Sequence, residues 1–233
     1  RPLIERLAPY IANPVPTIRG LLAEGKQVLV EGQLGTLRDL DWGIYPYTTS
    51  SNPIAGFASV GAGVPPAAIE KVLGIVKAYS TCVGDGPFVT EIFGEQADRI
   101  RQVGKEYGAA TGRPRRIGWF DAVATRHGAM IQGATSLCVT LLDVLSCVET
   151  LRVCTRYRVG DDETDEFPVF HALKRAEPVL EEMLGWGVPI TEARRLEQLP
   201  REARDYLDFI ESSVGVPISH VSVGPSREQI IYV

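Results

Sequence analysis

Ser136-Leu137-Cys138-Val139-Thr140-Leu141-Leu142-Asp143 decides the fold class. Seven residues, all but Ser136 apolar or β-branched and closed by a carboxylate, read as a buried strand ending at Asp143, the pattern of an inner strand of a parallel sheet. Working outward, Trp119 to Gln132 reads as a helix, with Phe120, Val123, Ala124 and His127 in register for packing. Thr150 to Val159 alternates weakly and is expected to pair across the polar turn Gly160-Asp161-Asp162. Arg201 to Ser213 is amphipathic and leads into a strand from Val216 to Val223; Gln229 to Val233 forms a last short strand. Upstream, Lys26-Gln27-Val28-Leu29-Val30-Glu31-Gly32 suits a buried strand, and Gly32 to Gly63 is one long functional loop, kept ordered by Trp42, Tyr45 and Tyr47. Pro65-Pro66 then starts a helix whose apolar positions Ile69, Val72, Leu73 and Val76 fall at helical spacing. Pro87 to Phe93 is strand-like, residues 95–106 are helical, and residues 1–25 form short helical pieces broken by Pro9, Pro14 and Pro16. Strands alternating with helices predict an α/β fold with a mixed, largely parallel sheet and flanking helices. Functional loops should lie at the strands' carboxyl ends.

Composition narrows the partners. The 233 residues are 45% hydrophobic and 23% charged with a net charge of -5, which excludes the broad basic face of a general nucleic-acid binder. Cys82, Cys138, Cys147 and Cys154 form no C-x-x-C pair and read as free thiols in a reducing cytoplasm. His127, His171 and His220 are scattered and predict packing or surface roles, with no metal site in the chain. The acidic run from Asp161 to Glu166 lacks the spaced ligands and central glycine of a calcium loop and reads as a solvated turn. No stretch has the length and apolarity of a membrane span or signal peptide. The chain opens on Arg1-Pro2-Leu3, without an initiator Met, so a processed or truncated polypeptide is expected.

Gly108-Ala109-Ala110-Thr111-Gly112-Arg113-Pro114-Arg115-Arg116-Ile117-Gly118-Trp119 carries the chemistry. Three arginines within four residues, flanked by glycines, suit a loop that holds a small anion, because the guanidinium fork matches carboxylate and phosphate. On composition alone a solvated basic loop is the plainer alternative. Gly32, Asp143 and Ser222-Val223-Gly224 each end a predicted strand, so the sheet would bring them to one rim. Asp143 there can either accept two hydrogen bonds from a guanine edge or cap the following helix.

The arginine stretch resembles the aspartate-binding loop of the adenylosuccinate synthetase family. Other stretches of that family follow in order: Tyr45-Pro46-Tyr47-Thr48-Thr49-Ser50-Ser51-Asn52, Lys77-Ala78-Tyr79-Ser80-Thr81, Val83-Gly84-Asp85-Gly86-Pro87-Phe88, Leu142-Asp143-Val144-Leu145 and Ser222-Val223-Gly224-Pro225. The similarity runs from about Glu24 to the end. It implies the phosphate-loop-like fold of that family, with residues 1–233 as the C-terminal part of a single domain whose N-terminal phosphate-loop part lies outside them. It implies a ligase that joins L-aspartate to IMP through 6-phosphoryl-IMP at the expense of GTP, with Mg2+, in AMP biosynthesis. By the same resemblance Thr111, Arg113 and Arg115, within a loop formed with Ala109, Ala110 and Gly112, would hold the aspartate carboxylates. Arg113 would also touch the IMP ribose, Arg115 would approach GTP, and Thr49 would bind the IMP phosphate. Leu141, Leu142, Asp143, Ser222, Val223 and Gly224 would form the guanine site. A cytoplasmic homodimer is implied, without nucleic acid or membrane as partner.

This sequence departs from the family pattern at three places. Glu-Gly-Ala-Gln-Gly is here Glu31-Gly32-Gln33-Leu34-Gly35, so Leu34 stands where a glutamine contacts the purine and Gln33 lies one place earlier. Leu141 replaces a lysine that packs on guanine, and Pro114 replaces an arginine. No stretch matches Gly-Asp-Glu-Gly-Lys-Gly-Lys, and the family's catalytic base and acid belong to the part outside this chain. The 233 residues alone are therefore expected not to turn over. The alternatives are a paralogous ligase with another acceptor and a non-catalytic nucleotide-binding fragment.

Overall fold

The computed structural model describes the chain except Ala110, Thr111 and Val169. Helices α1 (Pro2–Leu7) and α2 (Pro14–Ala23) open the chain on either side of a 3-10 turn. Their prolines sit in first turns, where no N–H is needed, and Asn13 caps α2 by accepting from the Val15 amide at 3.1 Å. After a long loop containing α3 (Ala58–Ala62) come β1 (Leu73–Lys77), β2 (Ser80–Cys82), β3 (Glu91–Ile92), α4 (Glu95–Val103), β4 (Arg116–Gly118), β5 (Phe120–Asp121), α5 (Ala122–Gln132) and β6 (Ser136–Thr140). A 3-10 helix at Leu142–Cys147 leads to β7 (Thr150–Val159), β8 (Asp162–Thr164), α6 (Phe170–Leu173), β9 (Glu177–Leu184), α7 (Arg201–Val214), β10 (Ile218–Ser222) and β11 (Ile230–Tyr232).

The central sheet has the order β1-β6-β10-β11, with β1, β6 and β10 parallel and β11 antiparallel at one edge. Strand β6 lies inside it, and Leu137, Cys138 and Val139 are buried, as a continuous apolar run requires. Helix α7 covers this sheet with Ala203, Tyr206, Leu207, Ile210 and Val214, spaced to form one apolar stripe. The Tyr206 hydroxyl donates to the Ala78 carbonyl at 2.6 Å, fastening the helix just beyond the end of β1. A second, antiparallel sheet runs β2-β4-β3. In the third, β7 pairs with β8, β9 and β5. Asp121 joins this sheet to α5: one carboxylate oxygen caps the helix at the Ala124 amide (2.9 Å), and the other accepts from the Tyr157 hydroxyl (2.6 Å).

Two predicted elements are corrected. The helix expected after Pro65-Pro66 is only a 3-10 turn at Pro66–Ala68, and Leu73 to Lys77 is strand β1. The run Leu-Gly-Ile-Val carries a helix-weakening glycine and two β-branched residues, and a short apolar run has no period of its own to separate helix from strand. Lys26 to Gly32 belongs to no strand or helix, and Leu29 is 94% exposed. Its apolarity therefore does not reflect burial within these residues. Strand β9 was not legible, because Glu177-Pro178 and Glu181-Glu182 break its alternation; it forms because β7 offers it a long antiparallel partner.

Candidate functional site

Parallel register aligns the carboxyl ends of three strands, pairing Lys77 with Thr140 and Val139 with Val221. Beyond β6 the backbone turns at Leu141, a non-glycine residue with φ 59, which serves as the N-cap of the 3-10 helix. The turn sends the Leu142 side chain into the core and leaves Asp143 at the rim. Asp143 is not the cap. Its Oδ1 is buried without a hydrogen-bond partner among the described residues. Burial pushes its carboxyl above the ordinary range, against the bond from its own amide. A desolvated carboxylate with an open lone pair is costly until a donor meets it, so this rim suits a ligand that brings N–H groups.

The end of β10 is a fixed wall beside that rim. Ser222 Oγ donates to the Gly224 carbonyl at 2.9 Å, and the buried Val223 amide donates to the Gln229 carbonyl at 2.9 Å. A Cβ on Gly224 would stand 2.4 Å from the Gln229 carboxamide, whose nitrogen donates to Thr191 O at 3.1 Å. Only glycine permits this approach.

The arginine loop is closed at its base. The Gly108 amide donates to Arg113 O (2.8 Å), Gly112, at φ 66, donates to Gly108 O (2.7 Å), and the Arg115 amide donates to Glu106 O (2.9 Å). Ala109, Gly112 and Arg113 are exposed at the tip, while Ala110 and Thr111 lie outside the described residues. The three arginines have different surroundings. Arg116 grips Glu91 (Nε to Oε1 2.8 Å) and the Gly86 carbonyl (2.9 Å) and packs over Phe88, which makes it part of the scaffold. Arg115 turns to Glu106, with Nη1 donating to Oε2 at 2.6 Å. Its Nε is buried without a hydrogen-bond partner among the described residues. Arg113 remains at the exposed tip.

Glu106 is the residue that sequence reasoning missed. It is 1% exposed, and besides Arg115 it accepts at Oε1 from Lys77 Nζ and the Tyr79 hydroxyl, each at 2.7 Å. Burial raises its carboxyl, but the bonds from Lys77, Tyr79 and Arg115 outweigh that and hold it below the ordinary range. Burial pulls the Lys77 ammonium down, opposed by Glu106. The available signal was an acid immediately before a glycine- and arginine-rich loop; nothing periodic marks it. Through Glu106 the arginine loop is joined to the end of β1, on the same sheet edge as Asp143, Ser222 and Gly224.

The remaining predicted residues lie on the long loop. Trp42 (55%) and Tyr45 (68%) are exposed, so burial of these two aromatics does not order it, contrary to expectation, while Tyr47 lies against Gly86. Polar groups fix it instead. Arg38 donates to Tyr47 O (2.5 Å), Cys82 Sγ (2.8 Å) and Val83 O (2.8 Å), and buried Asp39 accepts from the amides of Asp41 and Trp42, each at 2.9 Å. Thr49 is placed by its amide N–H, which donates to Arg38 O (2.7 Å). Gln33 and Leu34 are exposed, and Leu34 takes φ 70, a left-handed conformation that strains a leucine. Arg38 thus ties this loop to β2; no hydrogen bond among the described residues joins Thr49, Gln33 or Leu34 to the rim.

Among the described residues no group of three or more His, Cys, Asp or Glu side chains converges to hold a metal ion. All four cysteines are free thiols. No helix of the described residues is long and apolar enough to cross a membrane.

The adenylosuccinate synthetase family profile matches residues 1–231, extending the similarity to the first residue. Adenylosuccinate synthetase of Brevibacillus brevis is 48% identical over 99% of this chain and 54% of its own length. That of Moorella thermoacetica is 50% identical over 97% of this chain and 53% of its own. The structure of fully ligated adenylosuccinate synthetase from Plasmodium falciparum superposes with a TM-score of 0.92 at 33% identity, over 97% of this chain and 55% of that one. Succinoaminodeoxyadenylate synthetase of cyanophage S-2L, bound to dGMP and dATP, shares the fold at a TM-score of 0.57 and 18% identity. The chain spans about half the length of the curated relatives it matches. With the profile matched almost end to end and relatives close to one-half identical, the chain belongs to the adenylosuccinate synthetase family.

Proposed function

We propose that this chain supplies the aspartate loop and the guanine site of a GTP-dependent ligase that joins L-aspartate to IMP. The observation that carries this is the register pairing Lys77, which holds the Glu106–Arg115 pair at the end of β1, with Thr140 at the end of β6, three residues before the half-buried Asp143 with its unpartnered Oδ1. Asp143 accepts the N1–H and N2–H2 donors of guanine, and the Ser222-Val223-Gly224 turn offers its backbone to the same base. Arg113 and Arg115, with Thr111, hold the two aspartate carboxylates. Two guanidinium groups fix the orientation of the nucleophilic amine and offset repulsion between those carboxylates and the phosphoryl group on IMP O6. The amine displaces phosphate from 6-phosphoryl-IMP, giving adenylosuccinate. Thr49 holds the IMP phosphate. The activated phosphate is generated at residues beyond this segment, which forms the C-terminal part of one domain, and Mg2+ is held there too. The complete enzyme is a cytoplasmic homodimer.

In a full-family-length enzyme carrying this segment, adenylosuccinate formation should require IMP, aspartate and GTP together. The 233 residues alone should form none, and detectable product from them alone overturns that part of the proposal. A second acceptor is favoured by Leu34, which removes the amide expected at the purine. Competition of IMP against other purine nucleotides separates the two: preference for IMP supports the first, and preference for another nucleotide the second.

A further inference from the structure

We propose that Glu106 is a positioning residue for aspartate binding: it holds the Arg115 guanidinium in its binding orientation and couples it to Lys77 at the sheet edge. This rests on the aspartate role proposed above for the arginine loop. The Glu106 side chain meets two cations and a phenol with two oxygens, and their duties are divided. Oε2 serves Arg115 Nη1 (2.6 Å); Oε1 serves Lys77 Nζ and Tyr79 OH (2.7 Å each). The backbone repeats the link, because the Arg115 amide donates to Glu106 O (2.9 Å) while Arg101 Nε holds Arg115 O (2.9 Å). Gly104 keeps the turn close, since a Cβ there would stand 2.4 Å from the Tyr79 hydroxyl and 3.2 Å from Glu106 Cγ. Glu106 is 1% exposed, so it acts through Arg115. Its charge and reach fix one edge of the guanidinium, so a carboxylate ligand meets a pre-oriented fork instead of a freely rotating one.

The geometry makes the carboxamide a sharp probe. In Glu106→Gln the single remaining oxygen can serve either the Lys77–Tyr79 side or Arg115, and the NH2 group then confronts a cation that has only donors to offer. Arg115 loses its acceptor or shares the loss with Lys77. Glu106→Asp keeps the charge and falls short by one methylene.

The test is steady-state kinetics on a full-family-length enzyme carrying this segment, with Arg115→Leu, Glu106→Gln, Glu106→Asp and the Arg115→Leu/Glu106→Gln pair, each checked for folding by its melting curve. Glu106→Gln should raise KM for aspartate at least tenfold and KM for IMP less than threefold, Glu106→Asp should recover part of that rise, and the pair should match Arg115→Leu alone within about threefold. A purely structural role would lower the yield of active enzyme and leave the aspartate-to-IMP KM ratio unmoved, and that result overturns the inference, as does multiplication of the two single effects in the pair. If Glu106→Gln does not fold, Glu106→Asp carries the test, with an aspartate-specific KM rise of at least threefold expected and an unchanged ratio overturning it. If Arg115→Leu itself leaves KM for aspartate unchanged, the aspartate role of the loop fails and this inference falls with it; if only the Glu106 variants are silent, the inference fails alone.

Discussion

Asp121 is buried, and burial raises its carboxyl from 3.8 to about 6, against the bonds from the Ala124 amide and the Tyr157 hydroxyl. The unfolded chain gives up this proton near 3.8 while the folded chain keeps it until about 6. Within that window the unfolded state binds fewer protons, so stability falls as pH rises, then levels off above the folded value. At ~1.4 kcal/mol per pH unit the whole interval contributes ~3 kcal/mol, of which ~2 kcal/mol is lost between about pH 4.5 and about pH 6.5. Asp121→Asn preserves the shape: the carboxamide oxygen caps α5, and its nitrogen donates to the Tyr157 oxygen, which accepts as readily as it donates. It binds no proton in either state. Other groups add their own slopes, so the informative quantity is the difference between the parent and the variant. Urea unfolding of the full-length protein and its Asp121→Asn variant should show the variant gaining ~2 kcal/mol relative to the parent across that range. A difference independent of pH refutes the assigned burial cost.

Tyr206→Phe removes the donor to Ala78 O and leaves a carbonyl without its partner beside the core, so a loss of ~1–3 kcal/mol is expected in the same unfolding assay. Gly185→Ala would drive a Cβ to 1.9 Å from the Val148 carbonyl oxygen, where backbone must move, and should cost more than ~3 kcal/mol or abolish soluble expression. Asp143→Ala should raise KM for GTP at least tenfold with KM for IMP little changed in a full-family-length enzyme; unchanged GTP dependence would remove guanine from this rim. Arg113→Leu should raise KM for aspartate by a comparable factor, and an unaltered aspartate response counts against the loop's role.

The inner strand β6, the covering helix α7 and the turn from β7 into β8 were legible because each carries an unbroken pattern: a two-sided apolar run, a stripe at helical spacing, and a polar Gly-Asp-Asp corner. Strand β1 was not, since Ile69, Val72, Leu73 and Val76 satisfy helical spacing while the sheet partner that settles the conformation of Leu73 to Lys77, β6, is 63 residues away in the chain. At the site, Asp143, Ser222 and Gly224 are readable from the sequence as residues that follow or end strands. Glu106 was not, because its significance comes from Lys77 and Tyr79, which meet it only after folding. The Leu34 and Leu141 departures were visible as letters; that both occupy left-handed backbone was not.

Among the described residues strand β1 ends the central sheet with one side of its backbone unpaired, and Leu73 (44%) and Ile75 (65%) stand exposed along it. Leu29 and Val30 and the apolar residues of α1 lie uncovered as well. An open, apolar strand edge is a template for pairing with any extended chain that meets it. Material containing only these residues should therefore be a poor colloid: its solubility should depend on concentration, its light scattering should grow on standing, and substitution of Ile75 by lysine should keep it dispersed while leaving the rim at the strand ends intact.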